Sequence, residues 1–145
     1  MGRGPDERRG VSRVILLDNE AVRALADPAH PKHRRAVSHT QVAVSRKARA
    51  VPVNIAVPTA VRVAVGWDRT LPSWAFINRL RVADIPLDPS HANAAASLRN
   101  RTRVSVADAH LGAAIRAADQ VTVLTSDPRD MLVLAEGKRI EVVAL

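Results

Sequence analysis

The sequence predicts an α/β fold in which a central parallel β-sheet is flanked by helices. Three observations carry that expectation. Short apolar runs alternate with stretches of helical spacing along the chain, the pattern of strand–helix–strand units whose connections pack on the sheet faces. The chain is 47% hydrophobic but only 2% aromatic, so its core is built from Ala, Val, Leu and Ile, which suits strands buried on both faces. Its 145 residues are the size of one ordinary domain, and they contain no repeat and no interdomain linker.

The elements follow in order. Residues 1–13, rich in Gly, Arg and charge, are expected to form a flexible basic tail ahead of a domain spanning 14–145. Val14 to Leu17 reads as the first strand, and Glu20 to Ala26 as a short helix stopped near Asp27-Pro28. His30 to about Arg49 is a long basic segment of helical character. Val53 to Val57 is the second apolar run; Pro58 fits the start of a helix over Thr59 to about Trp67. Pro72 opens a helical stretch, Trp74 to Arg81, with Trp74, Ile77 and Leu80 at core-like spacing. Ile85 to Leu87 reads as a short strand, Pro89 to Arg101 and Ser105 to Ala118 as helices, and Val121 to Thr125 as a strand. A helix over Pro128 to Ala135 and a strand over Ile140 to Val143 complete the alternation.

Three aspartates stand where these runs stop. Asp18 follows Val14-Ile15-Leu16-Leu17, Asp127 follows Val121 to Ser126, and Asp108 opens the helix after Val104-Ser105-Val106-Ala107. In open α/β sheets ligands sit outside the carboxyl ends of the strands, and carboxylates clustered there hold hard divalent cations. Each aspartate also has a structural use. Asp18 or Asn19 suits a helix N-cap, Asp127 precedes Pro128 as N-caps often do, and Ser105-Val106-Ala107-Asp108 has capping-box form. Capping does not require the three to converge; a metal site does.

Ile15-Leu16-Leu17-Asp18, Val104-Ser105-Val106-Ala107-Asp108-Ala109 and Leu124-Thr125-Ser126-Asp127-Pro128-Arg129-Asp130-Met131 stand in the order seen in PIN domains. Over residues 14–143 the chain resembles the VapC-type toxins of bacterial toxin–antitoxin pairs. That resemblance implies a single PIN-like domain and a Mg²⁺- or Mn²⁺-dependent endoribonuclease of a type II pair. It also implies an RNA substrate, a cognate antitoxin that blocks the site, and a homodimer. Carried over residue by residue, Asp18, Asp108 and Asp127 match the family's metal-site acids. Thr125 and Ser126 match the small polar residues beside the last acid; Asn19 and Asp130 are further candidates for contacting substrate or supporting a ligand, Asp130 with a plain surface charge as its alternative. One position fails: the family carries a glutamate on the helix after the second strand, where this chain has Ala64. Alanine cannot ligate metal or position water. Asp68, one turn later, and Glu20, beside Asp18, are the acids near enough in sequence to be considered in its place. The vacancy implies impaired turnover, in either a weakly active member or an inactivated form. The alternative is a catalytically silent PIN-like domain that binds RNA or an antitoxin without cleaving.

Other features bound the function further. With no cysteine, disulfides, zinc-thiolate sites and cysteine catalysis are excluded. No apolar run approaches the ~20 residues of a membrane span, and the polar N-terminus carries no signal-peptide core, so a cytoplasmic protein is expected. The net charge of +8 and pI near 11.4 point to a polyanionic partner. Arg34, Arg35, Arg46, Lys47 and Arg49 suit either an RNA channel or a solvated helix face. His30 and His33 flank Pro31 without a third zinc ligand, His91 reads as a surface residue, and His110 as a packing or solvent-facing one. Trp67 and Trp74 suit core or dimer packing. A receiver-like or nucleotide-binding domain fits the alternation but not the motifs, since the chain has no Gly-rich phosphate loop.

Overall fold

The computed structural model describes residues 13–45 and 53–145. Residues 1–12 of the expected tail, and Arg46, Lys47 and Arg49 of the basic run, lie outside the described residues. Among the described residues, five strands form one parallel sheet: β1 (Arg13–Leu17), β2 (Val53–Pro58), β3 (Ala83–Ile85), β4 (Gln120–Thr125) and β5 (Glu141–Ala144). Their spatial order is β3-β2-β1-β4-β5, every pair parallel. The helices are α1 (Asn19–Ala26), α2 (His33–Ser45), α3 (Thr59–Val65), α4 (Ala75–Asn78), α5 (Pro89–Thr102), α6 (Val106–Ala117) and α7 (Pro128–Ala135), with a 3₁₀ turn at Pro72–Trp74.

The chain winds from β1 outward through β2 to β3, then crosses back to lay β4 on the other side of β1 and β5 beyond it. Strand order therefore reverses between β1 and β4. The carboxyl ends of those two strands are where a doubly wound sheet opens a ligand crevice.

Side-chain alternation along the strands divides the core into two layers. Ile15, Leu17, Ile55, Val57 and Leu124 point to one face, where α1 and α3 bring Val22, Leu25 and Val61. Leu16, Ala56, Val121 and Val123 point to the other, against Leu98, Leu111 and Leu134 from α5, α6 and α7. Leu16 lies between Ala56 and Val123 in register and is fully buried. Helices α5 and α6 approach so closely at Gly112 that an added Cβ would come within 2.4 Å of Leu98 Cδ2.

The few aromatics are concentrated on one face. Trp67 is buried, its ring 6.1 Å from Trp74, with the Arg69 guanidinium 4.4 Å above it. Its indole N–H donates to Asn78 Oδ1 at 2.9 Å. Gly66 ends α3 in the left-handed region at φ 76°, so the helix stops before Trp67 rather than including it.

Three expected boundaries are corrected. Arg13 belongs to β1, paired with Val53 and Gln120, not to the tail. The third strand is Ala83–Ile85 rather than Ile85 to Leu87, because Pro86 has no N–H for a ladder. The stretch from Trp74 to Arg81 is helical only to Asn78, and Arg81 takes a positive φ of 56°.

Leu16→Ala should destabilise the fold by about 2–5 kcal/mol in urea unfolding. Val63→Ala, at a side chain 81% exposed, should change stability by no more than about 0.5 kcal/mol. Equal losses from both would contradict the two-layer core.

Candidate functional site

Asp18 follows the last residue of β1 and is buried, with 7% of the residue exposed. One oxygen caps α1, Oδ1 accepting from the Ala21 N–H at 2.8 Å. The other, Oδ2, accepts from the Thr125 hydroxyl at 2.5 Å. Thr125, fully buried at the end of β4, in turn accepts the Asp127 N–H at 2.8 Å. A single hydroxyl thus ties the ends of the two strands that flank the crevice. Burial pushes the Asp18 carboxyl above its ordinary value, opposed by its Thr125 and Ala21 hydrogen bonds, while the charges of Asp108 and Glu20 push the same way as burial.

Asp108 enters from α6. Ser105 caps that helix, its Oγ accepting the Asp108 N–H at 3.1 Å, so the cap is made by the serine and the carboxylate is left for other contacts. Burial also raises the Asp108 carboxyl, the Ser105 hydrogen bond opposes this, and the Asp127 charge adds to it. Asp127 holds the N-cap position of α7 but makes no side-chain capping bond. Asp130, exposed on the first turn of α7, is raised by the adjoining Asp127 carboxylate, through hydrogen bonding and charge, with a smaller push from Asp108. The four carboxylates form an electrostatic chain from Asp18 through Asp108 to Asp127 and Asp130. None of the four is ion-paired to a Lys or Arg among the described residues. Equally, among the described residues no three His, Asp or Glu side chains stand close enough together to hold a metal ion by themselves.

Ala64 is exposed on α3 and lines an open groove of about 500 Å³ shared with Asn19, Thr59, Leu87, Ser105 and Val106. Asn19 Oδ1 is shut off from solvent there without a hydrogen-bond partner. Neither nearby acid replaces the missing one. Glu20 is held by His30 Nε2 at 2.8 Å, and Asp68 Oδ1 is engaged by the Thr70 N–H and hydroxyl at 2.9 and 2.6 Å.

Sequence reasoning missed Lys32. Its ammonium donates to Ser126 Oγ at 3.1 Å, beside Asp127, across 94 positions of sequence. It went unseen because only the packing of α1 and α2 on the sheet brings the two together. His30 holds the loop that carries it: Nδ1 accepts the Lys32 N–H at 3.0 Å, which leaves the proton on Nε2 for Glu20. His110 serves packing, as expected. It is fully buried, and Nδ1 accepts the Ala60 N–H at 3.2 Å, supplying α3 with the cap that Pro58 cannot. Burial, then the His91 charge, lowers its pKa, consistent with a neutral ring that accepts.

A chain in the crystal structure of VapBC2 from Rickettsia felis, bound to a DNA fragment from their promoter, shares the fold. The TM-score is 0.58 at 11% identity, over 90% of this chain and 98% of that one. The fold is PIN-like. At that identity the likeness establishes architecture alone. The sequence matches no family profile and no curated protein.

Thr125→Val should cost about 1–3 kcal/mol near neutral pH, since it strips a buried carboxylate and an amide of their shared partner. Thr125→Ser should recover most of that loss in the same unfolding titration. If the valine variant is as stable as the parent, the hydroxyl does not hold the strand ends.

The folded-state carboxyls of Asp18 and Asp108 lie above the ordinary value of 3.8. Protonation therefore favours the fold. That contribution is complete below the ordinary value and is lost as pH rises through the raised ones. Near neutral pH the ionised pair costs the metal-free fold stability. In chelator, Asp108→Asn should melt higher than the parent near pH 7, and the advantage should shrink toward about pH 4. An advantage independent of pH would remove charge repulsion as its cause.

Proposed function

We propose that this chain is a PIN-like ribonuclease of the toxin–antitoxin type, in which the carboxylate edge holds Mg²⁺ or Mn²⁺ and hydrolyses RNA phosphodiesters slowly. The observation that carries this reading is the run of pairwise electrostatic contacts from Asp18 to Asp108, Asp127 and Asp130 along the edge where strand order reverses, uncompensated by any Lys or Arg ion pair among the described residues. A buried Asp18 raised by the Asp108 charge, and a half-buried Asp108 raised by the Asp127 charge, suit a hard dication, and Mg²⁺ commonly takes one or two carboxylates while keeping several waters. Since no three acids stand close enough to enclose an ion among the described residues, the proposal is of an ion that keeps most of its water. Asp18 and Asp108 would hold it, with Asp127 and Asp130 approaching through water. When bound, the ion supplies charge neutralisation and a water of lowered pKa.

The chain's own residues prepare the edge. Thr125 keeps the buried Asp18 oriented and fixes the Asp127 backbone. Ser126, between them, is placed to hydrogen-bond a phosphate oxygen. The shared fold with a chain of VapBC2, a two-component assembly, supports an antitoxin partner for this chain too. The exposed Val63, Leu87 and Val106 around the groove give such a partner an apolar surface to cover. A homodimer and a cytoplasmic location complete the proposal. Among the described residues no helix is long and apolar enough to cross a membrane.

The silent alternative has its own supporting observation. Ala64 leaves the groove wall without a carboxylate, and neither Glu20 nor Asp68 is available to substitute. The two readings separate in one assay. With Mn²⁺ or Mg²⁺ and a structured RNA, the parent should cleave weakly and Asp18→Asn not at all. Ala64→Glu should raise the rate by about tenfold or more, the size of effect seen when a metal-site partner is gained or lost. No cleavage by either the parent or Ala64→Glu would leave the binding-only reading.

A further inference from the structure

We infer that Lys32 and Ser126 form a phosphate-binding pair that anchors single-stranded RNA at the carboxylate edge without metal. This deepens the ribonuclease reading and rests on RNA being the ligand. An edge of four carboxylates repels a polyanion. Metal-free RNA binding there requires a fixed cation close to the acids but not consumed by them. Lys32 meets that requirement. Its Nζ contacts a neutral hydroxyl, Ser126 Oγ at 3.1 Å, and makes no ion pair among the described residues. An ammonium has three donors, so two remain for an anion. Accepting from Lys32 leaves the Ser126 O–H to point outward as another donor.

The pair is held in place from both sides. Ser126 lies between Thr125, whose hydroxyl is bound to Asp18, and Asp127, whose N–H is bound to Thr125. Lys32 follows a loop pinned by its own N–H to His30 Nδ1, and its carbonyl accepts the Ala36 N–H at 3.0 Å in the first turn of α2. Two half-buried donors on rigid supports differ from a surface lysine, which must be ordered before it can bind. The ligand class is the phosphodiester. Its non-bridging oxygens accept from ammonium and hydroxyl together, and contacts of this kind position a strand without reading its bases.

The test is binding of a fluorescein-labelled single-stranded RNA by anisotropy, in EDTA, over a series of salt concentrations. Lys32→Ala should weaken binding about three- to tenfold and flatten the salt dependence by about 0.7 in logarithmic slope, the share of one phosphate contact on a single strand. Lys32→Arg should restore most of both. Ser126→Ala should weaken binding less and leave the slope unchanged, because no charge is removed. Arg34→Ala serves as the comparison, a loss of equal charge away from Ser126. If Lys32→Ala loses no more than Arg34→Ala, the pair is not an anchor, whereas the ribonuclease reading stands on its cleavage assay. If the parent fails to bind RNA both in EDTA and with Mn²⁺, the RNA reading and this inference fall together. Melting curves of each variant guard the comparison. Should Lys32→Ala melt lower than the parent, Lys32→Met, which keeps the apolar stem, decides in its place.

Discussion

The Thr125 hydroxyl is the contact on which the rest of the site depends. It donates to a buried Asp18 oxygen at 2.5 Å and accepts the Asp127 amide at 2.8 Å, so it fixes the ends of β1 and β4 where the sheet reverses its winding. A hydrogen bond to a charged group contributes about 1.5–3 kcal/mol. Here that contribution opposes the burial and like-charge repulsion that push Asp18 toward its protonated form. Without it, the carboxylate would be held only by the cap it makes on α1. Its backbone role matters as much, because the same hydroxyl sets where Ser126 and Asp127 stand relative to Asp18. The placements of the edge carboxylates and of the Lys32–Ser126 pair are therefore not independent features. Both hang on one side chain at the end of one strand.

The opposition between capping and chemistry dissolves at Asp18 and falls differently at the other two. A carboxylate has about four lone-pair sites, and Asp18 uses one oxygen for the helix and the other for Thr125. At α6 the cap is Ser105, which frees Asp108. At α7 Asp127 occupies the cap position without capping, and its charge acts on Asp108 and Asp130 instead. Helix starts at the carboxyl edge of a parallel sheet bring short acidic residues there for local reasons, and topology then brings them together.

The succession of strands and helices was largely legible in the sequence, because its signals are local, whereas the strand order was not. Asp127-Pro128 marks the start of α7, the helix expected over Pro128 to Ala135 is the one observed, and the apolar runs at β1, β2 and β4 are misjudged by a residue at most. What escaped is what locality cannot carry. Ile85-Pro86-Leu87 looks like a strand by composition, yet pairing with β2 uses Ala83 to Ile85. Trp67 looks helical, yet a left-handed Gly66 turns the chain first. Lys32 reads as one cation among many in a basic stretch, and only the packing of its loop against the end of β4 sets it beside Ser126. Similarly, the sequence offered Glu20 and Asp68 as substitutes at the vacant acid position, and their hydrogen bonds to His30 and Thr70 withdraw both.

The vacancy at Ala64 acts on stability and function in opposite directions. A glutamate there would add a further negative charge at the rim of a groove lined by Asn19 and Ala107, the chain neighbours of Asp18 and Asp108. It would raise those carboxyls further and make the empty edge costlier to fold. The same repulsion is the drive to take up a dication, because metal affinity at a carboxylate site is partly the relief of that strain. Removing one acid therefore leaves a fold more tolerant of an empty site and a site that competes less well for metal. It also lowers the barrier a polyanion meets there, which makes a fixed ammonium such as Lys32 a sufficient counterweight. On the proposed reading, weak metal retention and metal-free RNA contact would be two consequences of Ala64 rather than separate traits.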